Sequence, residues 1–277
     1  MILHIYTSDD EWLRAASEFI FSALSEALEV RNALEAREAN EAGNAPDVRN
    51  ALDVRNALDA RNASQMPLRS LHLCLAGGTT PEPIYKALAR DKRSAEIADA
   101  RSIHLWVGDE REAELGSGLR NSEMIAEAFS YAPTTFVLHK WPAGQRVLAA
   151  HTYEEELLPY ASERIHANQP IFDLTILGMG EDGHTAGIFS LDDFQSPVDS
   201  QKPGAILPSR LVMFTEAPRE PKSRMTLAPE ILRSSRHILV LMQGLEKVRV
   251  LIANLVGERD DPIKHFLDET CEAIARI

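Results

Sequence analysis

The chain predicts an α/β protein of three layers, α/β/α, built on a mostly parallel, Rossmann-like sheet. Two observations carry this. From Leu71 onward a short apolar run, a loop and an amphipathic stretch recur in turn. The runs are apolar throughout instead of alternating, as strands buried on both faces by helices require. At 277 residues the chain is long enough to bury a substantial core. It is read as one domain, 1–277, interrupted by a low-complexity insertion at about 31–66.

The elements follow in order. "MILHIY" reads as a strand, because its apolar run is short and lacks the basic start of a signal peptide. Ser8 and Glu11 form a capping box ahead of a helix whose stripe is Trp12, Ala16, Ile20 and Leu24, with Leu13 beside it. From Arg31 the sequence repeats in hexamers, RNALEA, REANEA, GNAPDV, RNALDV, RNALDA and RNASQM. A period of six advances about 240° around a helix, so the apolar positions walk round it and form no stripe. Gly43 and Pro46 also interrupt helix. This block reads as a solvent-exposed, partly helical insertion; an arm that binds a partner is the other reading. Then "LHLCLA" leads into "GGTTPEPIYKALA", "SIHLWVGD" into "ERE" and "RNSEMIAEAF", "FDLTILGMG" into "EDGHTAGIF", and "HILVLMQ" into "GLEKVRVLIANLV". All four distinctive loops follow strands, and ligands bind beyond the carboxyl ends of strands in such sheets.

Composition narrows the function. A net charge of −13 argues against a nucleic-acid partner, although a local basic pocket can still hold a small anion. No run approaches the length of a membrane helix. Cys74 and Cys271 are too few for a disulfide framework or a cysteine zinc site, so a cytoplasmic setting is expected.

The loops then supply chemistry. In "AGGTTPEP", Gly77 and Gly78 let backbone N–H groups approach a ligand, Thr79 and Thr80 add donors, and Pro81 suits an early helix position. A plain strand–helix turn is the alternative. "VGDERE" clusters Asp109, Glu110 and Arg111 at a strand end, where a solvated charged loop is the plain reading and ligand spacing for a metal is lacking. Arg224 in "EPKSRMTL" suits a bidentate grip on an anion, or a surface ion pair. Lys247 falls near the expected start of a helix, where the macrodipole disfavours a cation unless an anion or Glu246 offsets it. Gly178–Gly183 fits G-x-G-x-x-G, yet Glu181 and Asp182 would repel a pyrophosphate and no apolar strand precedes Asp199 to present it to a ribose. His184 follows a strand–glycine loop and is mostly neutral near pH 7, ready to take a proton; a core or capping histidine is the alternative.

Together these segments resemble the 6-phosphogluconolactonase family, within the larger glucosamine-6-phosphate isomerase/deaminase group. "LAGGTTP", "VGDER", "RNSEM", "GMGEDGHTAGIF" and "RMTL" are similar to that family's motifs in order, over nearly the whole chain except the hexamers. Arg120, Gly187 and Ser190 depart from the pattern, which holds Ser, Ser and Pro there. The resemblance implies a NagB/RpiA-like fold and hydrolysis of 6-phospho-D-glucono-1,5-lactone in the pentose phosphate pathway, with no cofactor and no metal. It implies His184 as general base, with Asp182 orienting either His184 or a sugar hydroxyl. Gly77, Gly78, Thr79, Arg224 and Lys247 hold the phosphate end, with Arg111 nearby. Backbone N–H groups of the Gly178–Gly183 loop are the expected oxyanion donors. The partner is a small phosphorylated sugar lactone, with no nucleic acid and no membrane, bound by a monomer or weak homo-oligomer. The isomerising and deaminating relatives place a catalytic Glu where Phe189 stands and Tyr where Arg111 stands, which favours hydrolysis. A non-catalytic sugar-phosphate binder is the remaining alternative.

Overall fold

The computed structural model describes residues 1–43, 70–100, 102–133, 136–195 and 211–277. Seven strands form one sheet in the order β1-β10-β9-β6-β2-β3-β5: β1 (Ile2–Tyr6), β2 (Leu71–Leu75), β3 (Ile103–Val107), β5 (Phe136–His139), β6 (Phe172–Gly178), β9 (Ser235–Gln243) and β10 (Cys271–Arg276). Every neighbouring pair is parallel. All five residues of β2 and of β3 are buried, as strands covered on both faces must be. The helices are α1 (Asp9–Gly43), α2 (Glu82–Arg90), α3 (Lys92–Ala100), α4 (Asn121–Ala128), α5 (Arg146–His166), α6 (Pro229–Arg233) and α7 (Leu245–Leu255).

The order reverses between β2 and β6. From β2 the chain proceeds outward through β3 to β5, whereas β6, β9 and β10 build the other half. The loops after β2 and β6 therefore leave neighbouring strand ends in opposite directions, opening a crevice at the carboxyl edge.

Helix α1 begins as expected, with the Ser8 hydroxyl accepting from Glu11 N at 3.4 Å and Trp12, Ala16, Ile20 and Leu24 buried. It continues through the first hexamers, and Arg31 is no surface residue. Its guanidinium is fully buried and donates to Asp173 Oδ1 at 2.6 Å. Arg164 meets the same carboxylate at 3.0 Å, and His72 N donates to it at 2.9 Å. Burial lowers the Arg31 pKa to about 10 against the opposing pull of Asp173. Arg31, the first residue of the block expected as an exposed insertion, is thus buried, whereas Asn32, Ala33, Ala36 and Arg37 are exposed. The remainder of the block beyond Gly43, like Asp199, lies outside the described residues.

Two expectations change. The charged "DER" segment is a strand, β4 (Asp109–Arg111), paired antiparallel with β8 (Ser223–Leu227), which pairs in turn with β7 (Val212–Glu216). Gly108 carries the chain from one sheet to the other, donating to Leu75 O and accepting from Leu227 N, each at 2.9 Å. The helix expected in "EDGHTAGIF" is absent. Gly183 and Gly187 there disfavour helix, and the segment is instead a turn with a bridge between Thr185 and Ile188, followed by a 3₁₀ turn at Leu191–Gln195. Thr185 Oγ1 ties it to Gly178 O at 2.8 Å.

Candidate active site

The cleft at the carboxyl edge has an outer lobe of about 760 Å³ and an inner lobe of about 340 Å³. Gly77, Gly78 and Thr79 line the inner lobe, and Asp182 and Arg224 line the outer one. Arg111, His184 and Lys247 border both. Every residue expected at the site therefore lies on one continuous surface.

The inner lobe is shaped by a close approach. A Cβ on Gly77 would sit 1.9 Å from Asn121 Cγ, so only glycine lets the β2 loop pass this side chain. Asn121 is buried and donates from Nδ2 to Asp109 O at 2.8 Å and to Asp109 Oδ2 at 3.1 Å. Glu110 faces away from the cleft. Its buried carboxylate accepts from the backbone N–H groups of Asn121 at 2.7 Å and Ser122 at 2.9 Å, capping α4. Arg120, standing where the family pattern has Ser, is buried and donates to Trp141 O at 2.6 Å.

The turn after β6 brings Asp182 and His184 together. Asp182 Oδ1 lies 2.5 Å from His184 Nδ1. An ionised carboxylate only accepts, so Nδ1 carries the proton and Nε2 is left as the basic nitrogen. Burial by itself raises the Asp182 pKa, but the charge and hydrogen bonds of His184 outweigh it and hold the carboxyl below its ordinary value. Gly180 makes the pair sterically feasible, since its Cβ would stand 2.2 Å from His184 Nδ1 and 2.3 Å from Asp182 Oδ1. The Phe189 ring packs 4.8 Å from the imidazole. Two of the amides expected to serve as oxyanion donors are engaged within the turn. Gly180 N donates to His184 O at 2.9 Å and Gly183 N to Gly180 O at 3.1 Å.

Positive charge gathers opposite. Arg111 and Arg224 are direct cross-strand partners in the β4–β8 register, an arrangement that like charges make unfavourable. Burial, and then the Arg111 charge, lower the Arg224 pKa, and burial lowers that of Lys247 at the start of α7. Among the described residues no carboxylate oxygen lies within 4.0 Å of these three cationic groups. Asp109, between them and Asn121, is pushed up to about 6 by burial and by the Glu110 charge, against the pull of Arg111 and Arg224. Sequence reasoning placed Asp109 only in a charged cluster; its role as cleft floor depends on burial, which no local pattern reports. Among the described residues no three His, Cys, Asp or Glu side chains are grouped to hold a metal ion.

Comparison with known proteins adds four findings. The family model for Glucosamine-6-phosphate isomerases/6-phosphogluconolactonase matches residues 47–274. The chain is 33% identical over 199 residues to the 6-phosphogluconolactonase of Thermotoga maritima, covering 71% of this chain and 78% of that protein. It is 31% identical over 181 residues to the 6-phosphogluconolactonase of Chlamydia muridarum, covering 64% of this chain and 62% of that protein. The crystal structure of the Thermotoga maritima 6-phosphogluconolactonase superposes with a TM-score of 0.65 at 26% identity, covering 99% of each chain.

Proposed function

This chain belongs to the glucosamine-6-phosphate isomerase/6-phosphogluconolactonase family, and from that premise we propose that it hydrolyses 6-phospho-D-glucono-1,5-lactone to 6-phospho-D-gluconate. The observation that carries this reading is the pairing, across one cleft, of a carboxylate-oriented imidazole with three basic groups that, among the described residues, form no ion pair within 4.0 Å.

In this mechanism His184 Nε2 removes a proton from water as the oxygen attacks the lactone carbonyl, C1. The tetrahedral oxyanion collapses and breaks the bond from C1 to the ring oxygen. The imidazolium returns its proton to that oxygen, which becomes the sugar's C5 hydroxyl, and the new carboxylic acid ionises. Asp182 stabilises the imidazolium and keeps the Nδ1–H tautomer throughout. The lactone is an activated ester, so no covalent nucleophile is required, and no G-x-S-x-G elbow is present in the sequence. Arg224, Lys247 and the Gly77–Thr79 loop hold the phosphate, with Arg111 beside them. An anion there relieves the repulsion between Arg111 and Arg224 and the burial of Lys247. Isomerisation or deamination is disfavoured by Phe189, which stands five residues after His184 where those relatives' pattern has a catalytic Glu, and whose side chain cannot transfer a proton.

The test is Arg224→Ala assayed with phosphorylated and unphosphorylated gluconolactone. Charge-assisted hydrogen bonds of about 1.5–3 kcal/mol correspond to a rise in KM of about 10- to 100-fold for the phosphorylated substrate. The unphosphorylated lactone should be little affected. An unchanged KM for the phosphorylated lactone contradicts the assignment.

A further inference from the structure

We propose that Arg259 and Asp261 are positioning residues for this reaction, clamping the Asp182–His184 turn through its backbone from a loop that contributes nothing to the cleft lining. The inference rests on the reading of His184 as the base.

The loop after α7 reaches the turn at two points. Arg259 Nη2 donates to Asp182 O at 3.1 Å, and Ile263 N donates to Gly183 O at 3.0 Å. Between them the Asp261 carboxylate accepts from Arg259 Nε at 2.5 Å, Arg259 Nη2 at 3.0 Å and Asn254 Nδ2 at 2.7 Å. Asp261 N in turn donates to Asn254 Oδ1 at 2.8 Å, and Asn254 is buried. The fit is close, because a Cβ on Gly183 would stand 2.4 Å from the Asp261 side chain. Thus the carbonyl of the peptide between Asp182 and Gly183, and that of the peptide after it, are fixed by a distant segment.

A hydrogen bond as short as the one between Asp182 and His184 depends on where that peptide points. The turn has three glycines within eight residues, Gly180, Gly183 and Gly187, and glycine backbones have the most freedom to lose. An outside clamp removes that freedom. It adds no net charge beside the anion site, since Arg259 and Asp261 neutralise each other. Lys247 and Asn254 both lie on α7, two turns apart on one face at about 10.5 Å. One helix therefore carries both the cation for the phosphate and the amide that anchors the clamp.

The experiment uses the full chain with Arg259→Ala, Asp261→Asn and Arg259→Lys. Steady-state kinetics on freshly generated 6-phosphogluconolactone are normalised to folded protein from thermal unfolding. Nitrogen-15 NMR of the imidazoles follows the Nδ1–H tautomer, with the His184 signal assigned by its loss in His184→Ala. Arg259→Ala and Asp261→Asn are expected to lower kcat about 10- to 100-fold with KM within about threefold. The Nδ1–H signature should weaken in both, and Arg259→Lys should restore most of the rate. Arg259 is exposed at the surface, so its variants test the proposal even where Asp261→Asn folds poorly. The proposal is overturned by a kcat within about twofold of wild type in the folded Arg259→Ala protein, or by lost activity with an unchanged His184 tautomer. If His184→Ala itself keeps wild-type kcat, the general-base reading fails instead.

Discussion

Replacing Asp109 with asparagine keeps the shape of the side chain and an acceptor for Asn121 Nδ2 while removing the charge. In the native protein the carboxyl is displaced from about 3.8 to about 6, chiefly by burial and secondly by Glu110. The folded pKa is thus above the unfolded one. Asp109 favours folding fully only below its unfolded pKa, and that contribution is lost as pH rises through the folded pKa. Above this window the buried carboxylate opposes folding, and the displacement corresponds to about 3 kcal/mol. Asp109→Asn is therefore expected to stabilise the protein by up to about 3 kcal/mol near pH 7.5 and only about 0.5 kcal/mol near pH 4. Urea unfolding at the two pH values measures the difference, and the Tm near neutral pH should rise by about 6–10 °C. Equal stabilisation at both pH values, or destabilisation near pH 7.5, would refute the account of the cleft floor.

Two more outcomes follow from the packing. Gly180→Ala forces a methyl group into the Asp182–His184 pair and should lower kcat by about 100-fold or more, with little change in KM; initial rates near wild type would mean the turn adapts. Asp173→Ala leaves the buried guanidinium groups of Arg31 and Arg164 without their carboxylate. It should cost about 3–5 kcal/mol in urea unfolding while the folded fraction keeps its kcat; a loss under about 1 kcal/mol would show that the two arginines find other partners.

Much of this site is legible along the chain because its parts are local. Glycines after β2 and β6, a proline opening α2 and a cation opening α7 each leave a mark within a few residues. The four strands that carry the loops read clearly, being apolar throughout. Less legible is what depends on distant partners. Arg31 sits inside a repeat whose composition reads as surface, and only the fold reveals that Asp173 awaits it. The β4 segment looks like a solvated loop because three charged residues in a row carry no apolar alternation; its partner lies more than a hundred residues away. His72, His104 and His139 read as scattered polar residues within strands. The parallel register stacks them beside Trp106 under Tyr160, where burial, and then the His139 charge, push His104 down to about 4. The Arg259–Asp261 clamp carries no motif at all, since it acts on backbone atoms.

The central claim concerns the imidazole at the mouth of β6, and one measurement bears on it most directly. Hydrolysis of 6-phosphogluconolactone, generated in situ and corrected for its spontaneous opening, is compared for wild type and His184→Ala at saturating substrate. A general base predicts a kcat lower by about 10²- to 10⁴-fold with KM nearly unchanged. A His184→Ala enzyme that turns over the lactone at close to the wild-type rate would contradict it.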